Sequence, residues 1–194
     1  MNKSFRYFPF VLVLIMIACN GPSKKGSDGQ TGNYFPVNDF ILSEIKLLDS
    51  LPVGIMKKQT IGDQKDSGYI QLPEFRALSR AFINPELEQG KFEENYKETS
   101  FGDEATGFFT FTYEPKNDQV NVTRLDVLVK QGAASDKLHS IYMEKRYLSN
   151  DTSVTEKLYW KSNTSFSIYK EKRAGSDSAA KNEKIEVIWD PASY

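Results

Sequence analysis

The chain has 194 residues, with 25 basic and 26 acidic side chains, a single histidine and a single cysteine. That size suits one domain with one core. The near-zero charge balance argues against a nucleic-acid partner, which calls for a basic patch or stripe, and a lone cysteine excludes an internal disulfide or a thiolate zinc cluster.

Met1 to Tyr7 carries Lys3 and Arg6 and no acid, and residues 8–18 (FPFVLVLIMIA) follow without a charge, ending in the small Ala18. This is the layout of an export signal. Eleven apolar residues at helical rise cover roughly 16 Å, about half the hydrocarbon thickness that a spanning helix must cross. The last four residues, Met16-Ile17-Ala18-Cys19, resemble the lipobox of bacterial lipoproteins, in which a small residue precedes a cysteine that is diacylated before the signal is cut off. Met16 stands where that family usually has leucine. The resemblance implies that residues 1–18 are removed, that Cys19 becomes the lipid-bearing first residue, and that two acyl chains give stable membrane attachment. An ordinary secretory signal and a retained N-terminal helix are the competing readings. Loss of Lys3 and Arg6 leaves 23 basic against 26 acidic residues. Residues 20–33 (NGPSKKGSDGQTGN) hold four glycines, two serines and no aliphatic or aromatic side chain, the composition of a flexible tether about 20 Å long. In lipoproteins sorted between two membranes, an aspartate after the cysteine retains the protein in the inner one. Asn20 is not that signal, so the resemblance implies the outer membrane of a two-membrane host. The expected plan is thus a signal peptide over residues 1–18, lipidated cysteine and tether over 19–33, and a single globular domain over 34–194.

Along that domain, Val37, Ile41, Ile45 and Leu48 recur at helical spacing, with Asn38 as candidate N-cap, and Pro52 ends the helix. Residues 54–61 (GIMKKQTI) suggest a short strand, followed by a polar turn from Gly62 to Gly68. Pro73 suits the first turn of a second helix, in which Phe75, Leu78 and Phe82 share a face, and Asn84-Pro85 closes it. From about residue 107 the period switches to two. Phe109, Phe111 and Tyr113 alternate with threonines, and Leu125, Val127 and Val129 alternate with polar residues. Residues 138–148 form a weaker strand. Val154, Leu158 and Trp160 lead across Lys161 to Ser165 into Phe166 and Ile168 as a hairpin, and Ile185, Val187 and Trp189 form a last strand. High aromatic content fits such strands. The expected fold is α+β, an antiparallel meander of about five to six strands with two N-terminal helices packed on one face. This order is similar to several curved-sheet folds, among them cystatin-like cones and the half-barrels of lipoprotein carriers, and no motif selects one of them.

Motifs for chemistry are sparse. His139 reads as an ordinary strand residue, since no G-x-S-x-G elbow accompanies it and Cys19 is committed to lipidation. The stretch from Gly62 to Gly68 has Asp63 and Gly68 at the first and sixth places of a calcium loop, but Lys65 and Ser67 stand at the third and fifth, where Asp or Asn is usual, and a lysine ammonium would repel the cation. No phosphate-cradling glycine loop occurs, and no cofactor is expected. Glu93, Glu94, Glu98, Asp103 and Glu104 crowd one segment, and Asp126, Glu144 and Glu156 fall within strands, without the spacing of a known carboxylate pair. Trp160, Trp189, Tyr159 and Tyr169 are candidate ligand-facing aromatics, set against the reading that the tryptophans fill the core. Asp177-Ser178-Ala179 resembles the three-residue O-glycosylation signal of Bacteroidota, which makes Ser178 a candidate acceptor; Asp49-Ser50-Leu51 matches it less accessibly. The functional expectation is a membrane-anchored envelope lipoprotein with a non-enzymatic binding or scaffolding role. Its partners are the membrane, through acylated Cys19, and an unidentified envelope protein or ligand. Two alternatives are a carrier holding a hydrophobic ligand in a cavity lined by Phe109, Phe111, Leu158 and Trp160, and a carboxylate-based hydrolase.

Overall fold

The computed structural model describes residues 34–132, 137–175 and 179–189. Cys19, with the expected signal and tether, and Ser178 lie outside these residues. Nine strands form one antiparallel sheet: β1 (Ile55–Ile61), β2 (Gln64–Ile70), β3 (Tyr96–Asp103), β4 (Phe108–Pro115), β5 (Val122–Lys130), β6 (Lys137–Ser149), β7 (Thr152–Lys161), β8 (Ser165–Ala174) and β9 (Lys181–Ile188). Their order across the sheet is β2-β1-β9-β8-β7-β6-β5-β4-β3. Strands β3 to β9 run as a meander in chain order, and the N-terminal hairpin extends it by laying β1 against β9, from Met56 opposite Ile188 to Ile61 opposite Glu183. Local chemistry supports the turns. Ser149 pairs with Thr152 across Asn150 and Asp151, whose φ values of 47° and 59° are the conformation that a tight hairpin needs and that Asn and Asp tolerate.

Alternation along the strands puts one face of the sheet into the core. Across it, Phe111, Val127, Ile141, Trp160, Phe166 and Val187 stand in one row, and Tyr113, Leu125, Met143, Leu158, Ile168 and Ile185 in the next. The helices α1 (Val37–Leu48), α2 (Leu72–Ser79) and α3 (Lys91–Asn95), with 3₁₀ turns at Arg80–Phe82 and Pro85–Leu87, supply the other side of that core. Val37, Ile41 and Leu48 of α1 are buried against it. Phe75 and Phe82 meet the strand aromatics: Phe75 lies 5.3 Å from Trp189, Phe82 lies 5.1 Å from Trp160, and Trp160 stacks on Phe166 at 5.2 Å. Each such fully buried ring contributes roughly 1.5–3 kcal/mol of hydrophobic stabilisation, with about 0.5–1.5 more from ring geometry.

The nine-stranded sheet corrects the expected fold of five to six strands with two helices: the molecule is mostly sheet, and three helices occur among the described residues. The two strands with no counterpart among the segments read from the sequence are β2 and β3, the edges. β2 buries Ile70 alone and β3 fully buries Tyr96 alone, so neither carries a period-two apolar signal. The expected polar turn from Gly62 to Gly68 is in fact a two-residue turn, Gly62-Asp63, followed by β2. The second helical segment, α2 with the 3₁₀ turn Arg80–Phe82, does end before Asn84-Pro85, and a further 3₁₀ turn and α3, neither expected from the sequence, follow. Asn38 is not an N-cap. The helix starts at Val37, with Pro36 at the cap position, so Asn38 lies inside it, and its side-chain amide donates to the Asn84 carbonyl at 2.8 Å and accepts from the Asn84 N–H at 3.1 Å. Two buried backbone groups are satisfied this way, which fastens α1 to the end of the second helical segment.

Candidate functional site

The chain enters the domain as Tyr34-Phe35-Pro36 and is fastened at once to the far edge of the sheet. Tyr34 Oη donates to the Tyr96 carbonyl at 3.0 Å, and the Phe35 N–H donates to Tyr113 Oη at 3.2 Å. Phe92, the one buried residue of α3, packs 4.9 Å from Tyr34, 4.7 Å from Tyr113 and 5.3 Å from Tyr96. Tyr96 in turn donates to the Val122 carbonyl at 3.1 Å, while Glu86 accepts the Val122 and Asn121 N–H groups at 2.6 and 3.2 Å. Three chain-distant segments are thereby held to one another by aromatic packing and by satisfied hydrogen bonds.

Between them lies a pocket of about 610 Å³, within the size range of small-molecule sites. Tyr34, Phe35 and Phe111 are half-buried and offer ring surface to it, whereas Phe92 and Tyr113 are buried and back those rings. On edge strand β3 the small Ser100 faces Phe111 across the ladder, which leaves that ring half-buried. Asp39, Glu88, Glu93 and Glu98 also line the pocket, and no lysine or arginine among the described residues does. Glu98 stands directly opposite Tyr113 in the β3–β4 ladder. Burial first, then the charges of Glu98 and Glu93, raise the Tyr34 phenol above its ordinary range. Tyr113 is raised too, chiefly by burial, with Glu98 adding to the rise and the Phe35 N–H opposing it. Both hydroxyls therefore stay protonated at neutral pH.

The residues singled out in the sequence are distributed differently. Trp160 and Trp189 are 0% and 2% exposed and belong to the core. Tyr159 and Tyr169 project from the opposite face of the sheet, paired with Ser167 and Lys157, so the four aromatics do not form one groove. Leu158 is buried beside Trp160, and the middle of the sheet is packed by helices. Of the four residues expected to line a carrier cavity, Phe111 alone reaches the pocket. His139 packs its ring 5.1 Å from Phe108. Asp126 and Glu144 lie on the outer face, each held by an arginine two residues away. Tyr34, Phe35 and Phe92 were not flagged by sequence reasoning. An aromatic pair directly after residues 20–33, which hold no aliphatic or aromatic side chain, was the available signal.

Glu156 is the other concentration of charge, buried on the inner face. It accepts from Lys170 at 2.7 Å and Tyr147 at 2.9 Å, with Lys145 at 3.5 Å. Burial pushes its carboxyl up, but the bonds from Lys170 and Tyr147 and the charges of both lysines outweigh it, leaving the carboxyl below its ordinary range. Lys145 also donates to the Ala81 carbonyl at 3.1 Å, which ties this network to the first 3₁₀ turn. Every group in it is satisfied, as befits a structural clasp. Compared with family models, with curated proteins and with solved structures, the chain has no match in any of the three.

Proposed function

We propose that this protein is a lipid-anchored binding protein of the bacterial cell envelope, held at the outer membrane through acylated Cys19, that takes a small ligand non-enzymatically into the pocket beside Tyr34. The observation that carries the binding reading is the roughly 610 Å³ pocket, walled by half-buried rings on a hydrogen-bonded frame. Rigid aromatic surface gives large contact area at small entropic cost. The carrier alternative becomes this same pocket at the β3–β4 end, since the central space is filled by Leu158, Trp160 and their neighbours. Four carboxylates in one pocket also meet the bare composition of a carboxylate hydrolase. All four are exposed, however, whereas a general acid relies on desolvation to hold its proton near neutrality, and that reading leaves the aromatic walls without a role.

The anchor is tested by membrane fractionation and by mass spectrometry of the mature N-terminus. The expected result is a diacylated Cys19 in the membrane fraction and a Cys19→Ser variant that is neither acylated nor membrane-bound. A mature chain that begins at Asn20, or that retains Met1, overturns the anchor.

A further inference from the structure

We infer that the pocket selects an organic cation, an ammonium head carried on an apolar body, with Glu98 and Glu93 as its counter-charges and Tyr34, Phe35 and Phe111 as its ring walls. The inference rests on the pocket being a ligand site and adds the chemical class of the ligand. Size alone admits many molecules, so charge and surface decide. Asp39, Glu88, Glu93 and Glu98 all line the space and, among the described residues, no basic side chain does, so the charge these residues bring to it is negative.

The basic residues of the same segments sit at its margin or face away from it, and one of the four carboxylates is paired. Lys91 pairs with Glu88 at 3.6 Å, and Lys116 donates to the Glu93 backbone carbonyl at 2.7 Å. Lys97 precedes Glu98 on β3 and so takes the opposite face of the sheet. Among the described residues, Asp39, Glu93 and Glu98 have no ion-pair partner, which leaves three carboxylates free to meet an incoming charge. An anionic ligand would have to shed water beside them without a compensating donor.

The rings discriminate among cations. A small inorganic ion keeps its tightly held water and gains little from an aromatic wall, whereas a weakly hydrated alkylammonium gains from the ring quadrupole and from apolar contact together. Tyr34 and Tyr113 are inclined at 33° and Tyr34 and Phe92 at 59°, so these rings wall a corner instead of stacking flat on one another. An ammonium group in that corner would meet ring surface from Tyr34 with the Glu98 carboxylate beside it, and an apolar body could extend along Phe35 and Phe111.

Isothermal titration of the purified full chain with three probes of matched shape tests this: benzyltrimethylammonium, benzylsulfonate and benzyl alcohol. The expected result is that the cation binds about tenfold or more tightly than either of the others, with affinity that falls as salt is added. The Glu93→Gln, Glu98→Gln double variant should weaken the cation about tenfold and leave benzyl alcohol unchanged. Both glutamates are exposed, so the variant should fold normally, and its thermal melt checks that. Equal binding of all three probes overturns the charge selection while leaving the pocket a ligand site. Cation binding that the double variant does not alter places the cation elsewhere and overturns the inference. Failure of all three to bind overturns the ligand-site reading along with it.

Discussion

Glu44, in the third turn of α1, accepts a hydrogen bond from the backbone N–H of Asn163 at 2.7 Å, a residue 119 positions later in the turn between β7 and β8. The same carboxylate faces Trp160 Nε1 and Ser162 Oγ, each at 3.4 Å. A buried helix acid thus caps a hairpin whose Asn163 holds a left-handed backbone at φ 56°. Removing it strands donors that water reaches poorly. Glu44→Ala should cost about 2 kcal/mol, read as a fall in Tm of about 4–8 °C. Glu44→Gln should lose less, because its amide oxygen can still accept from Asn163. An unchanged melting temperature for the alanine variant would show that the bond contributes nothing net.

The Glu156 network makes stability depend on pH in a definite direction. Its folded-state carboxyl lies below the ordinary value of 4.5. The ionised form therefore contributes stability at pH values above 4.5, and that contribution disappears as pH falls through the depressed folded value. Wild-type protein should lose stability on acidification below pH 4.5, and Glu156→Gln should show a flatter acid limb. At pH 7 the variant should itself be less stable by about 2 kcal/mol, since Lys145 and Lys170 lose their shared counter-charge. Denaturant melts at pH 3, 4, 5 and 7 would reveal it, and parallel pH profiles for the two proteins would contradict it.

Burial, reinforced by Glu156, pushes the Tyr147 phenol up to about 12. Its protonated form thus contributes stability below pH 10 that is lost as pH rises through 12. Tyr147→Phe should flatten the alkaline limb of the stability profile and leave the acid limb in place. A variant that loses stability above pH 10 as steeply as wild type would refute this.

Gly102 lies where a side chain has no room. A Cβ there would come within 2.8 Å of Phe109 Cε1 and 3.0 Å of its Cζ. Its backbone is not in the left-handed region, so the penalty of Gly102→Ala is steric. The expected cost is about 1–3 kcal/mol. Pairing it with Phe109→Leu should recover part of that loss. Simple additivity in the double-mutant cycle would mean that the ring and the glycine are not coupled.

Tyr159 and Trp160 are neighbours in sequence on opposite faces of β7, 38% and 0% exposed. Trp160→Ala should cost about 3–5 kcal/mol through the cavity left beneath Phe82 and Phe166. Tyr159→Ala should cost under about 1 kcal/mol. Comparable losses at the two positions would mean that the outer face is covered in solution.

How much was legible depends on how much apolar surface each segment buries. The charge layout before residue 8, the uncharged stretch up to Cys19 and the Gly/Ser composition after it are local properties, so the expected anchor and tether follow from the sequence alone. The α1 stripe of Val37, Ile41 and Leu48 and the alternation in β5 and β7 were equally readable, because those elements press one face into the core. Only the tertiary structure decided the rest. β2 and β3 are edge strands that bury almost nothing, so pairing rather than composition makes them strands. The closure of β1 on β9 joins segments more than 120 residues apart. The pocket takes walls from residues 34–39, 87–98 and 111–113. No local period records such a meeting, because side chains far apart in the chain become neighbours only when the sheet brings their backbones to the same edge.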